Sequence, residues 1–415
     1  MIYLFVLIGL IFLMYIYDIK GKEVYRDNWY VLVLVTLVAI SGLRYRIGGD
    51  TVNYLYSYYH EVPCIWDISV AEWENLGYEP LFFLFSSLVK SLGVRFFVFQ
   101  FLHALFVNSL IFIYFKRHSE YIFTCIFFYF IWIYVYCNFE EMRASMSLVV
   151  CLFANDYIID RKWIRGFSLY IIGFLFHYST IVLFITPLFL FLRMNLLGLI
   201  YLLIALVSGY IIQKSFGDYL MLLDLNGNIA DKAMNYANKA DYFEQSKSLR
   251  GIIIAIIPYI VYSIISVAYL RHNLLKASEK KLSLIRLQPF LLLGLTFVLF
   301  SIPMPIADRF IRFYQIYFIL YFSNLFTDWI NSSTQISHSI GLVRSFIVFI
   351  PIFNIISHMY RDPIKESSKN DPYYSYEKYV PYSSIIEKSV SGRREHLYNM
   401  LSSINLDLRP NEEEY

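Results

Sequence analysis

Apolar residues in this chain fall into long unbroken runs, without the regular polar interruptions of a soluble fold. The first run spans Ile2 to Tyr17. Others of helix-spanning length follow at about 29 to 42, 96 to 115, 121 to 138, 143 to 159, 164 to 192, 196 to 213, 251 to 270, 287 to 302, 309 to 328 and 341 to 358. Lipid offers the backbone no hydrogen bonds, so each run must be helical or sheltered by its neighbours. The pattern predicts an all-α, polytopic membrane helix bundle of about 11 to 13 helices. An outer-membrane barrel would need alternating apolar and polar residues, whereas these runs are apolar on every face.

Two stretches depart from simple spanning length. Glu79 to Gly93 would be about 22 Å long as a helix, too short to cross. Pro80 suits its first turn, Leu81, Phe85, Leu88 and Leu92 share one face, and Ser86, Ser87, Lys90 and Ser91 keep much of the other polar. These features predict an interfacial or re-entrant helix near 79 to 93. The run from 164 to 192, about 40 Å as one helix, exceeds a hydrocarbon layer of roughly 30 Å. Its polar break at His177, Ser179 and Thr180 predicts two short helices.

Basic residues gather at Lys20, Lys22 and Arg26, at Lys116 and Arg117, at Arg161, Lys162 and Arg165, and from Arg271 through Lys280, Lys281 and Arg286. The positive-inside rule makes these loops cytoplasmic. They agree with one another only if the N-terminus is outside and 79 to 93 does not cross. The expected organisation is a polytopic domain over 1 to 358, with outer loops at about 43 to 95 and 213 to 250, and an extracytoplasmic tail over 359 to 415. The first run lacks a basic leader and a cleavage site, so it reads as a retained helix.

Composition sharpens this picture. Aromatic residues make up 20% of the 415 residues and charged residues only 16%, with a mean hydropathy of +0.52. A net charge of +3 without a basic stripe argues against nucleic acid as a partner. The partner that composition requires is the lipid bilayer. Cys64, Cys125, Cys137 and Cys151 have no metal-ligand or thioredoxin-like spacing. No metal and no cofactor is expected.

Candidate chemistry lies in four polar clusters. Arg44 to Tyr54 (RYRIGGDTVNY) puts two arginines at the outer surface, then a glycine pair for a tight turn, then Asp50 placed to cap a short helix. The segment fits an ordinary turn and interfacial anchor; Arg44, Arg46 and Asp50 beside aromatics such as Tyr54 also describe a site for a phosphate-bearing sugar. Glu140, Glu141 and Arg143 fit snorkelling side chains at a helix junction, or, for Arg143, a phosphate clamp. His177 interrupts an apolar run and fits either an interhelical hydrogen bond or a proton acceptor. Asp308, Arg309 and Arg312 follow Pro303 and Pro305, the two arginines one turn apart. All four clusters fall on one predicted side of the membrane, a bias that independent anchors would not show.

With these motifs in order, the chain resembles the EpsG family of bacterial polysaccharide polymerases, relatives of the Wzy O-antigen polymerases. The matching features are RYRIGGDTVNY, Gly77 to Phe82 (GYEPLF), Arg143 to Ser147 (RASMS), Phe176 to Thr180 (FHYST) and Asp308 to Tyr317 (DRFIRFYQIY), with a Tyr-Pro-rich tail around Tyr379 to Tyr382. Ala144 stands where many members carry glutamine. The resemblance implies a GT-C-like architecture and a glycosyltransferase in the bacterial cytoplasmic membrane, acting at its outer face. Its substrate would be an undecaprenyl-pyrophosphate-linked oligosaccharide repeat, transferred to a sugar hydroxyl of another repeat in exopolysaccharide, capsule or O-antigen synthesis. A partner that regulates chain length is implied only by the resemblance.

Nothing here resembles a DxD-type metal site, so leaving-group charge would fall to Arg143 and Arg309, with Arg44 or Arg46 assisting. Arg312 and Tyr54 join the expected binding residues. The base would be His177, Asp50 or Glu79, with His177 favoured. Tyr56, Tyr58, Tyr59, Trp66 and Trp73 offer further aromatic faces for sugars, although aromatics belong at any membrane interface. A flippase for the same lipid-linked sugar would need charges along a path through the bundle. A ligase would use the same donor, and an acyltransferase would need a second polar residue paired with His177, which sequence does not reveal.

Overall fold

The computed structural model describes residues 2–69, 77–222, 249–272, 278–304, 307–333 and 378–387. The run at 341 to 358, the centre of the 213 to 250 loop, Trp73, Pro305 and the rest of the tail lie outside the described residues. Among the described residues there is no β-strand, only an isolated antiparallel bridge between Arg44 and Ser384.

The chain is an all-α polytopic membrane bundle. Its first half comprises α1 (Ile2–Ile19), α2 (Arg26–Gly42), the short α3 (Thr51–His60) and α4 (Pro80–Ser91), and the long α5 (Phe96–His118). Next come α6 (Ile122–Tyr134), continued by a π-helical turn at Tyr136–Glu140, then α7 (Met142–Ile159) and α8 (Trp163–Phe176). A 3₁₀ helix, Tyr178–Phe189, leads to α9 (Leu196–Leu222), α10 (Leu249–His272), α11 (Glu279–Arg286), α12 (Gln288–Phe300) and α13 (Asp308–Ser333). By length and composition α1, α5 and α7 can each cross a membrane, and α11 with α12, bent by 46° at their junction, would make a fourth span. Shorter apolar helices pack among them.

The 164 to 192 run is two helices, as its polar break predicts. His177 takes an extended backbone between them, φ −159° and ψ 123°, and its N–H closes α8 on Gly173 O at 2.9 Å. Thr180 is fully buried and hydrogen-bonds Ser147 of α7, which gives the polar break a partner inside the bundle. Two further buried polar pairs are matched in the same way. Asn108 donates to Asn138 Oδ1 at 2.7 Å, and Asn155 donates to Tyr317 at 2.7 Å.

α4 forms where expected, but its polar face turns inward. Ser86 and Ser87 are buried while Leu84, Leu88 and Leu92 are exposed. Farther along α4, Lys90 and Ser91 serve open backbone groups at the end of α3 and in the α3–α4 connection. Lys90 donates to Val62 O at 2.6 Å and to Tyr59 O at 3.1 Å, and Ser91 Oγ accepts from Ile65 N at 2.7 Å.

The four basic loops meet at one end of the bundle. Arg26 pairs with Asp18 at 3.4 Å, Lys116 with Asp27 at 2.7 Å, Arg117 with Asp156 at 3.3 Å and Lys281 with Asp328 at 2.8 Å. Arg286 reaches Asp160 and so joins the 160 to 165 loop to α11. The start of α1 stands at the opposite end, where Tyr3 donates to Tyr379 O at 3.3 Å. The clusters singled out for chemistry also lie there.

Candidate active site

Glu79 is the centre of this opposite end. Pro80 at the first position of α4 holds Glu79 in an extended conformation at the N-cap, φ −66° and ψ 145°, so its side chain leaves the helix and enters the bundle. The carboxylate is only 4% exposed. Arg143 Nη1, from the first turn of α7, donates to Glu79 Oε2 at 2.8 Å. His177 Nδ1 lies 2.7 Å from Oε1, and the Tyr178 N–H approaches the same oxygen at 3.4 Å.

Burial alone would raise the pKa of this carboxyl, but the His177 hydrogen bond and the Arg143 charge outweigh it and hold Glu79 down at about 2. Glu79 is therefore an anion across the physiological range. With Nδ1 committed to that anion, Nε2 is the imidazole nitrogen that makes no hydrogen bond among the described residues.

The guanidinium of Arg143 is framed by aromatics. Its Nε approaches Tyr54 Oη at 3.4 Å, and its carbon stands 5.1 Å from the Tyr78 ring centroid. Burial pushes the Tyr54 hydroxyl up to about 12, against the pull of Arg143. The Arg143 side chain is still 28% exposed.

The glycine turn is built differently from its sequence reading. Asp50 stands at the N-cap of α3 but has a helical backbone, φ −84° and ψ −12°, and its side chain makes no cap hydrogen bond. Glu140, buried at the end of the π-helical turn, supplies the carboxylate instead. Its Oε1 accepts from Gly49 N at 2.7 Å and its Oε2 from Asp50 N at 3.0 Å. Gly48 has φ +107°, and a Cβ there would sit 2.6 Å from Phe139 O, so only glycine fits. The Asp50 side chain, freed from capping, reaches solvent. Surrounding protein and the Glu140 charge raise its pKa, opposed by Lys378, Arg143 and Arg309. That influence brings Asp50, Arg143 and Arg309 into one electrostatic neighbourhood.

Other expected residues lie apart from the open site. Arg44, expected at the surface, is wholly buried. Its guanidinium donates to Ile47 O at 3.2 Å and to Ser41 O, and stacks 4.9 Å from the Phe139 centroid. The loop folds back over its own arginine because its carbonyls need donors that lipid cannot supply. Arg46 takes a left-handed backbone, φ +48°, and leans on the Tyr45 ring. Arg312 pairs with Glu141 and lies 3.6 Å from the Tyr136 centroid. Of the aromatic candidates, Tyr58 is buried and Trp66 is 76% exposed.

Fold and site define a helical membrane protein with a buried carboxylate joining an arginine to a histidine at the end opposite its basic loops. The chain belongs to the EpsG family, whose model matches residues 27–384, and that membership indicates a polysaccharide-polymerase-like role. No curated protein and no solved structure matches the chain.

Proposed function

We propose that this protein is a polymerase that transfers an undecaprenyl-pyrophosphate-linked oligosaccharide repeat to a sugar hydroxyl of another lipid-linked repeat at the outer face of the bacterial cytoplasmic membrane. The observation that carries this reading is Glu79 bridging Arg143 and His177. In the reaction an acceptor hydroxyl oxygen bonds to the anomeric carbon of the donor, and the bond from that carbon to the pyrophosphate oxygen breaks. The lipid pyrophosphate leaves with the electron pair, and the hydroxyl proton passes to His177 Nε2. Glu79 fixes the imidazole and balances its charge after proton transfer. Arg143 and Arg309 supply positive charge where the leaving group becomes more negative. Asp50 borders this space, whereas Arg44, Arg46 and Arg312 are engaged by the surrounding protein.

The charges of this site gather at one end, whereas a flippase would need polar groups serving a path between both ends. Buried polar groups elsewhere, such as Asn108 and Asn138, pair with each other.

The test is glycan length in cells whose own copy is replaced by wild type, by Arg143→Ala or by His177→Ala, with membrane expression matched. Long polymer from wild type, with single lipid-linked repeats left at the outer face by both variants, is the expected result. Repeats accumulating on the cytoplasmic face would make the protein a transporter and end the enzyme reading.

A further inference from the structure

The chain returns to the site end at Lys378–Glu387, and this segment lies across the loop that follows α2. Tyr45 N donates to Ser383 O at 2.9 Å, Ile385 N to Leu43 O at 3.0 Å and Gly48 N to Lys378 O at 3.2 Å. The Tyr382 hydroxyl donates to Ile40 O at 3.0 Å, and its ring meets Tyr3 edge-on with centroids 6.1 Å apart. The Tyr379 hydroxyl donates to Glu140, the carboxylate that holds the Gly49 and Asp50 amides. Backbone and side chain together fix where Lys378 stands.

Its ammonium lies 3.2 Å from the point where a Cβ on Gly49 would fall, as does Glu140 Oε2. A side chain at Gly49 would therefore crowd both groups. Lys378 also lowers the pKa of Asp50, as Arg143 and Arg309 do, so three cations act on the same carboxylate. Arg143 is ion-paired with Glu79. Lys378 is half-buried and, among the described residues, makes no ion pair within 4.0 Å. An ammonium drawn partly out of water in the same neighbourhood as Arg143 and Arg309 offers a charge-assisted donor to an anionic ligand.

We propose that the C-terminal segment completes the active site by delivering Lys378 as a further cation for the phosphate groups of the donor. This rests on the reading of the site as one for a pyrophosphate-bearing substrate. Lys378 then binds the donor, while Tyr379 acts as a positioning residue through Glu140.

The test uses the full-length protein in nanodiscs, with polymer formation followed against donor concentration. Lys378→Met keeps the apolar stem and removes the charge. It is expected to raise the apparent KM for donor about ten- to hundredfold, the range for one charge-assisted hydrogen bond, with kcat little changed. Lys378→Arg is expected to restore it. A second measurement is thermal stabilisation by undecaprenyl pyrophosphate, with undecaprenol as the uncharged control. The pyrophosphate-specific part of the shift should shrink in Lys378→Met. A wild-type KM in Lys378→Met while Arg143→Ala is inactive would overturn the proposal and leave the polymerase reading standing. So would a loss of kcat that Lys378→Arg does not restore, since that marks a merely structural lysine. Full activity in both Arg143→Ala and His177→Ala would defeat the underlying reading of the site, and this proposal with it.

Discussion

The side chain on which the site depends is Glu79, and its charge can be tested by pH. Its carboxyl is held at about 2 against an ordinary 4.5, which corresponds to roughly 3 kcal/mol of native-state stability at neutral pH. Because the folded pKa is the lower one, this stabilisation is present in full above about pH 4.5 and is lost as pH falls towards 2. Thermal unfolding in detergent should show that loss in wild type, and Glu79→Gln should be less stable at neutral pH and flatter over the same acid range. In turnover, His177→Ala is expected to lose about 10²- to 10⁴-fold, the usual contribution of a general base, and Glu79→Gln a comparable factor because the imidazole loses the anion that orients it. Initial rates of polymer formation measure both; near wild-type rates from either variant would remove the dyad from the mechanism. Sequence brought His177 and Glu79 forward separately as candidate bases, His177 as a polar group in an apolar run and Glu79 through the GYEPLF motif of the family resemblance. That they form one unit was not legible, because 98 residues separate them and only packing sets their distance. Arg44 shows the converse. Its sequence position marks an interface arginine, and only the folding of the loop over it shows that its guanidinium is spent on backbone carbonyls.

At the scale of the helix, the distance from Arg143 to His177 depends on how closely α8 packs on α7. Gly173 lies at this contact, one turn before His177, and a Cβ there would stand 2.5 Å from Cys151 Sγ and 3.3 Å from Ser147 Oγ. Gly173→Ala should therefore press the two helices apart and destabilise the protein by about 1 to 3 kcal/mol, the range for overpacking a tight contact. Cys151→Ala removes the atom in the way. The double variant should recover much of the loss in Tm and in polymer formation, a coupling expected only of residues in contact. Additive losses would show that the helices meet elsewhere. The break between α8 and the 3₁₀ helix was readable in advance, because His177, Ser179 and Thr180 interrupt a run too long for one span. The inward polar face of α4 was not. Residue spacing gives which side chains share a face, but which face meets protein is set by tertiary packing. The capping of the glycine turn by Glu140 was hidden for a similar reason, since nothing local to Asp50 shows that a carboxylate about 90 positions later occupies its amides.

Across the whole molecule, the separation of basic loops from the candidate site gives the bundle a direction. Charge bias in short loops is a global signal that survives errors at single helix ends, which is why the sequence could group the loops before any contact was known. The structure joins them by ion pairs such as Arg117–Asp156 and Arg286–Asp160. If those loops face the cytoplasm, Trp66, on the α3–α4 connection, must face outward, and Lys116, at the end of α5, must face inward. Both side chains are open enough to report this, Trp66 at 76% and the Lys116 side chain at 56% exposure. Cys64 replaced by serine gives a background without the partly exposed thiol of that connection, and Cys125, Cys137 and Cys151 are buried. In spheroplasts, a membrane-impermeant maleimide should label Trp66→Cys at once and Lys116→Cys only after permeabilisation. The reverse pattern would turn the site towards the cytoplasm, where the repeat would have to be joined before export. On the proposed reading, orientation therefore decides whether polymerisation follows export of the repeat or precedes it.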